Sequence, residues 1–322
     1  MVPLAGEEPL WTAFLAGSAN GTLFHDLRFL RYHPEDRFHF HHLILKREDK
    51  PIALLPGGFS GSPERAVYRS PLGASVGGLV VAPDVRGETA VEMIEAVQDY
   101  AREQGWAGVE LTLPPHCYSD VNGLIEFALF SRGFYLAHRW LCHMLPIIPG
   151  PNGGYEKAFR SRQISYVRAA RRRGVVGVEK GIEGLDDFLS VFRDTFARHR
   201  AAPTHTEDEI RDLLLRFPDR IRIHLAMLGK TPMAGVLIFI LTAQVANTFY
   251  ICRGNGHDGD RGATFIIADV IQRLAQREFR YLDLGPSASD LRFNKGVAFF
   301  KESLGAIGQC RDRWSWNVEG SC

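Results

Sequence analysis

Cysteine is scarce in this chain. The five residues, Cys117, Cys142, Cys252, Cys310 and Cys322, are odd in number, widely spaced and without a Cys-x-x-Cys pair. That pattern argues against both a disulfide framework and a zinc site, and a reducing cytoplasm is the expected setting. A surplus of either charge is also missing: 38 Lys and Arg stand against 37 Asp and Glu, for a formal net charge of +1. No global field draws such a chain onto nucleic acid or an anionic membrane, so any anionic partner must be held by a local patch. The longest apolar stretch, Met233 to Ile240, is far too short to span a bilayer, and stable membrane insertion is not expected. Met1 to Phe14 carries Glu7, Glu8 and Pro9 and no basic region ahead of an apolar core, so it does not read as a signal peptide.

At 322 residues and 45% hydrophobic composition, the chain is long enough for about two domains with substantial cores. Two stretches follow one script. His42 to Leu45 leads through Lys50-Pro51 to Ile52–Leu55, and Ile223 to Leu228 leads through Gly229-Lys230 to Met233–Leu241, two hairpin signals. The shared turn-Pro-x-Ala places Ala53 against Ala234, 181 positions apart. Each hairpin is followed by a further strand, a glycine-rich loop and a helix with apolar residues at helical spacing. Val91, Ile94, Val97 and Ala101 form one stripe; Ile266, Val270 and Leu274, with Ile267 beside them, form the other. Each helix runs into a short strand, Gly108 to Leu113 or Tyr281 to Leu284. Pro146 to Gly154, rich in proline and glycine, is the expected linker, giving domains 1–149 and 150–322.

The order hairpin, strand, glycine-rich loop, helix, strand resembles the central portion of a GNAT fold. In that fold the loop after a central strand, with the following helix N-terminus, receives an acyl donor's phosphates. The expected class is therefore α/β (α+β), with two tandem GNAT-like domains, each a mixed, mostly antiparallel sheet flanked by helices.

In the second half the loop holds Arg253, Gly254, Gly256, Gly259, Gly262 and Ala263. Its glycines let backbone N–H groups converge on phosphate, and the alternative is a plain connecting loop. Arg160, Arg162, Arg168, Arg171, Arg172 and Arg173 crowd a predicted helix, where guanidinium forks suit phosphate or carboxylate or simply form a solvated face. Arg168 and Arg171 are the candidates for substrate contact, with His25, Tyr250 and Asn294. His39 and His41 alternate on one strand face but have no paired carboxylate or cysteine nearby, so no metal is expected. His205 precedes Thr206-Glu207-Asp208-Glu209, a capping-box pattern that makes Thr206 the structural residue and leaves His205 as a polar site candidate. Asp283, in the apolar strand Tyr281 to Leu284, is either a carboxylate able to take a proton from an attacking amine or a turn residue. Lys301, flanked by Phe299 and Phe300, presents an ammonium suited to a developing oxyanion.

Ser70 to Gly78, Leu113-Pro-Pro-His116, Pro203 to Thr206, and Leu291 to Glu302 resemble the FemAB-like branch of the GNAT superfamily, including BioF2-like acetyltransferases. The resemblance runs from about Gly21 to Trp314. It implies transfer of an acyl group to an amine, from acetyl-CoA or another acyl-CoA in some members and from aminoacyl-tRNA to peptidoglycan precursors in the Fem proteins. The Fem motif is approximately Phe-Lys-Lys-Gly-Phe-Gly; here it reads Phe300-Lys301-Glu302-Ser303-Leu304-Gly305. Lys301 matches as the lysine near the transferred group, while Glu302 and Ser303 depart. The expected activity is an N-acyltransferase, with catalytic Lys301, Asp283 and His205, acting on an amine of a small molecule, sugar or cell-envelope precursor. Two alternatives stand beside it: a tRNA-dependent aminoacyl transferase, and a non-catalytic GNAT-fold binding protein.

Overall fold

A computed structural model describes residues 1–318 except 35, 60–65, 152, 257–260 and 290–291. The chain forms two compact units, one of residues 1–140 with 310–322 and the other of 141–309. The division falls at Trp140/Leu141, ahead of the proline-rich stretch where the sequence places it. Pro146 still pairs with Tyr281, and the Gly150 N–H donates to the Ala275 carbonyl. That stretch is thus packed into the second unit, and the C-terminal residues return to the first.

In the first unit, β1 (Leu43–Arg47) and β2 (Lys50–Leu55) form an antiparallel hairpin. β3 (Val67–Ser70) runs parallel to β4 (Gly108–Thr112), which pairs on its other side with the C-terminal strand. The α1 helix (Gly87–Glu103) buries Ile94, Val97 and Ala101 completely, with Val91 packed at the edge of the same core. This is the stripe that the 3.6-residue period marks.

The second unit starts within β5 (Tyr135–Pro146) and continues through α2 (Ser161–Arg172), β6 (Val175–Lys180), α3 (Leu185–His199), α4 (Glu207–Arg216), β7 (Ile221–Leu228), β8 (Thr231–Ile240), β9 (Val245–Arg253), α5 (Gly262–Gln276), β10 (Tyr281–Pro286) and α6 (Lys295–Ser303). Its strands lie in the order β6-β7-β8-β9-β10-β5, antiparallel throughout except for the parallel pair β9/β10. Because side chains alternate along a strand, Ala234 and Val236 face the core shared with α2 and α5, and Gly235 faces α3. A Cβ on Gly235 would lie 2.9 Å from the Phe188 ring, so glycine is what lets α3 seat.

The two hairpins repeat in register as well as in sequence. Leu45 pairs with Ala53 and Lys46 with Pro51 across a bulge; Ala226 pairs with Ala234 and Met227 with Pro232 across another. Every one of these positions is displaced by 181 residues, the offset read from the sequence. A proline cannot donate to a ladder, and the same irregularity next to Pro51 and Pro232 follows from that missing donor.

Candidate active site

The parallel pairing of β9 with β10 spans three positions, Val245–Tyr281, Ala246–Leu282 and Asn247–Asp283. The ladder ends where side chains replace it: Asn247 Nδ2 and Thr248 Oγ1 donate to the Asp283 carbonyl at 3.3 and 3.2 Å. β9 then runs on to Arg253, and the chain re-enters regular structure at the first turn of α5. A Cβ on the buried Gly262 would come within 3.1 Å of Ala234 Cβ, so this residue brings the N-terminus of α5 close to β8.

Beside that N-terminus lies a cavity of about 570 Å³. Arg160, Arg162, Gln163 and Tyr166 of α2 and its cap form one wall; Arg253, Arg261, Ala263 and Thr264 form a second; Phe299, Phe300, Glu302 and Ser303 of α6 form a third. Gln163 ties the walls together, donating to Ser303 Oγ at 2.9 Å and facing Thr264 Oγ1 at 3.3 Å. Tyr166 organises two of the cations. Arg162 Nε donates to its hydroxyl at 2.7 Å, and the Arg261 guanidinium stacks 4.7 Å above its ring, a cation–π arrangement.

The placement of these arginines is electrostatically uphill. Arg160 is the N-cap residue of α2 and Arg261 that of α5, and neither helix has a side-chain cap hydrogen bond. Helix N-termini carry partial positive charge and exposed N–H donors, so they favour anions. Among the described residues, two helix starts without an N-cap side-chain bond and four guanidinium groups surround one cavity, an arrangement that favours an anion there.

Next to the cavity, β10 breaks register between Asp283 and Pro286. Gly285 takes φ +75° there, a left-handed conformation open to glycine. Its N–H donates to Asp283 Oδ1 at 2.6 Å, and Lys301 Nζ donates to the carbonyls of Gly285 and Pro286, both at 2.8 Å. Lys301 is buried, and desolvation lowers its pKa from 10.5 to about 8, against the opposing pull of Asp283. The bulge delivers Ser287 to His143: Ser287 Oγ lies 2.8 Å from Nδ1, and Nε2 lies 3.4 Å from Glu302 Oε1.

The sequence-predicted residues divide accordingly. Arg253 and Ala263 line the cavity, Gly262 starts α5, and Gly254 is buried with its N–H bonded to Met233. Gly256 is exposed at φ +76°, and Gly259 lies outside the described residues. Lys301 and Asp283 meet at the bulge, and neither lines the cavity. His205 is buried with Nδ1 3.0 Å from the Tyr250 hydroxyl and its ring against Phe249, and Tyr250 in turn packs on Phe192 and Phe196 of α3. Thr206 forms the expected capping box with Glu209. Arg168 is exposed, Arg171 stacks on Tyr155, and Asn294 caps α6 by accepting from the Val297 N–H. His25 lies in the first unit, where its ring and Thr22 complete a capping box. Among the described residues no group of three or more His, Cys, Asp or Glu is placed to hold a metal, and no helix is long and apolar enough to cross a membrane.

The arginines of α2 that line the cavity are at its start, not the Arg168 and Arg171 singled out from the sequence. Arg160 and Arg162 face the cavity, whereas Arg171 and Arg172 occupy the last turn, where cations suit the helix dipole. The available signal was the first turn's mismatch, arginines where acidic caps belong. His143 and Ser287 carried no local signal at all.

Residues 157–295 match the family profile described as an acetyltransferase (GNAT) domain. No curated protein matches the chain by sequence. Among solved structures, FemX superposes with a TM-score of 0.76 at 11% identity, covering 98% of this chain and 97% of that one. The L-PGS of Bacillus licheniformis gives 0.60 at 14%, covering 98% and 92%. A tandem GNAT protein from the clavulanic acid biosynthesis pathway gives 0.53 at 14%, covering 100% and 99%. At such identities the likeness is one of fold, and that fold is the tandem GNAT arrangement the repeat implies. By sequence, residues 157–295 match a GNAT acetyltransferase domain, and the fold around them is like that of tandem GNAT proteins.

Proposed function

We propose that the protein moves an acyl group, acetyl or a close relative, from an acyl-CoA to an amine of a small molecule, sugar or cell-envelope precursor. The observation that carries this reading is the arginine-lined cavity over two uncapped helix N-termini, beside the point where β9 and β10 separate. A pyrophosphate seated on the first turn of α5 would take N–H donors there and guanidinium donors from Arg253 and Arg261. Holding the thioester beside the amine converts a bimolecular encounter into a positioned one. Asp283 and Lys301 contribute in this picture by fixing the end of β10.

One observation favours a second donor. Beyond the cavity, α2 continues with Arg168, Arg171 and Arg172 to its C-cap Arg173, all exposed, a cationic track of the kind that follows a nucleic-acid backbone. The Lys301 match to the Fem motif points the same way, toward an aminoacyl-tRNA donor. Titration calorimetry with acetyl-CoA, CoA, and charged and uncharged tRNA separates the two. Micromolar acetyl-CoA binding that Arg261→Ala weakens supports the first reading. Selective, strongly salt-dependent binding of charged tRNA supports the second, and indifference to every donor overturns both in favour of a binding module.

A further inference from the structure

Among the described residues Glu302 is the single carboxylate lining the cavity, and its side chain is 50% exposed. Behind it lies a buried polar chain. His143 and Ser287 are each 1% exposed, and both imidazole nitrogens face a partner, Nδ1 toward Ser287 Oγ at 2.8 Å and Nε2 toward Glu302 Oε1 at 3.4 Å. Ser287 is held firmly, its N–H donating to Leu141 O and its carbonyl accepting from the Asn294 N–H, both at 2.9 Å. A neutral imidazole has one donor and one acceptor. A Ser287 hydroxyl that donates to Nδ1 leaves a neutral ring with its proton on Nε2, on the side of Glu302.

The geometry points to Glu302, His143 and Ser287 as one relay, in which Glu302 takes the proton of the attacking amine and the buried pair positions and ionises it. This inference rests on the acyl-transfer reading above. In the step, the lone pair of a neutral amine forms the N–C bond to the acyl carbonyl, the C–S bond breaks, and the thiolate leaves with that electron pair. The proton lost by nitrogen passes to the Glu302 carboxylate and then to the thiolate, giving amide and thiol with no other reactant. Glu302 is the residue that touches the substrate; His143 and Ser287 are positioning residues.

The two bases expected from the sequence are engaged elsewhere. Asp283 accepts from the Gly285 N–H and His205 meets Tyr250, both away from the cavity wall. His143 lies in a mixed field: burial is the largest influence and disfavours its cation, as does Lys301, while Glu302 and Asp283 favour it. The ring therefore works as a neutral donor to Glu302. Its 3.4 Å separation is long for such a bond, as is common for catalytic contacts in unliganded sites that tighten when substrate binds.

The test joins two readouts on the full chain. The first is ¹⁵N NMR of labelled histidine, with His143→Gln supplying the assignment. The relay predicts the Nε2–H tautomer for His143, a lower ring pKa in Glu302→Gln, and a mixed tautomer in Ser287→Ala. The second is thiol release from acetyl-CoA with 2-aminoethanol, alongside calorimetric acetyl-CoA affinity. Glu302→Gln should lower kcat by about 100-fold or more, the scale of general base catalysis, with unchanged donor affinity and partial rescue by Glu302→Asp. Ser287→Ala should lower kcat about 10-fold and move the acidic limb of the pH profile, a shift that loss of packing alone would not produce. Full kcat in Glu302→Gln, an unmoved acidic limb in Ser287→Ala, an Nδ1–H tautomer, or donor binding by the wild type with no thiol release each overturns the relay. Failure of the wild type to bind acetyl-CoA counts instead against the donor proposed above, and the imidazole spectrum then decides the relay alone.

Discussion

Replacing Lys301 by methionine probes the clamp at the end of β10. The side chain is 5% exposed, and burial draws its pKa from 10.5 to about 8. Because the folded value lies below the unfolded one, the native protein binds fewer protons than the unfolded chain between about pH 8 and 10.5, so stability from this group rises with pH across that window. The shift corresponds to about 3 kcal/mol at about 1.4 kcal/mol per unit. A neutral amine still has two N–H donors, enough for the carbonyls of Gly285 and Pro286, so the clamp survives deprotonation. Methionine fills a similar volume but deprives both carbonyls of that donor, costing about 1–3 kcal/mol each. At neutral pH the relief of charge burial offsets much of this loss. Lys301→Met is therefore expected to be mildly destabilising near pH 7.5 and more so, by about 3 kcal/mol, near pH 10.5. Urea unfolding of wild type and variant, followed by tryptophan fluorescence at matched pH values, gives the difference directly and cancels the background titration of other groups. A difference that stays flat from pH 8 to 10.5 would refute the buried-ammonium account.

Arg253→Ala and Arg261→Ala should each weaken an anionic donor by about 10- to 100-fold, the scale of one charge-assisted hydrogen bond. Calorimetry checks this, and equal affinities would remove those side chains from the donor site. Gly285→Ala forces a side chain into φ +75° and should cost about 1–2 kcal/mol in urea unfolding; a neutral result would mean the bulge relaxes freely. Thr206→Ala removes the Thr206 half of the capping box at the start of α4 and should cost about 1 kcal/mol, with donor affinity unchanged by calorimetry.

What the sequence alone determined is the part of the fold written in local patterns. The 181-residue repeat was legible because a hairpin and its bulge depend on neighbouring residues, so Pro51 and Pro232 leave the same mark in sequence and in register. The stripes of α1 and α5 and the Thr206 capping box were legible for the same reason: helical spacing and caps are set within a few positions. Tertiary structure alone decided which charges meet. His143 and Ser287 are 144 residues apart and touch because β5 pairs with β10 and a bulge at Gly285 turns the next side chains, since a one-residue change of register redirects a strand's side chains to the other face. It also set Arg160 and Arg162, at the start of α2, on the cavity wall, because the packing of α2 beside α5 brings two helix N-termini, with their positive dipole ends, around it.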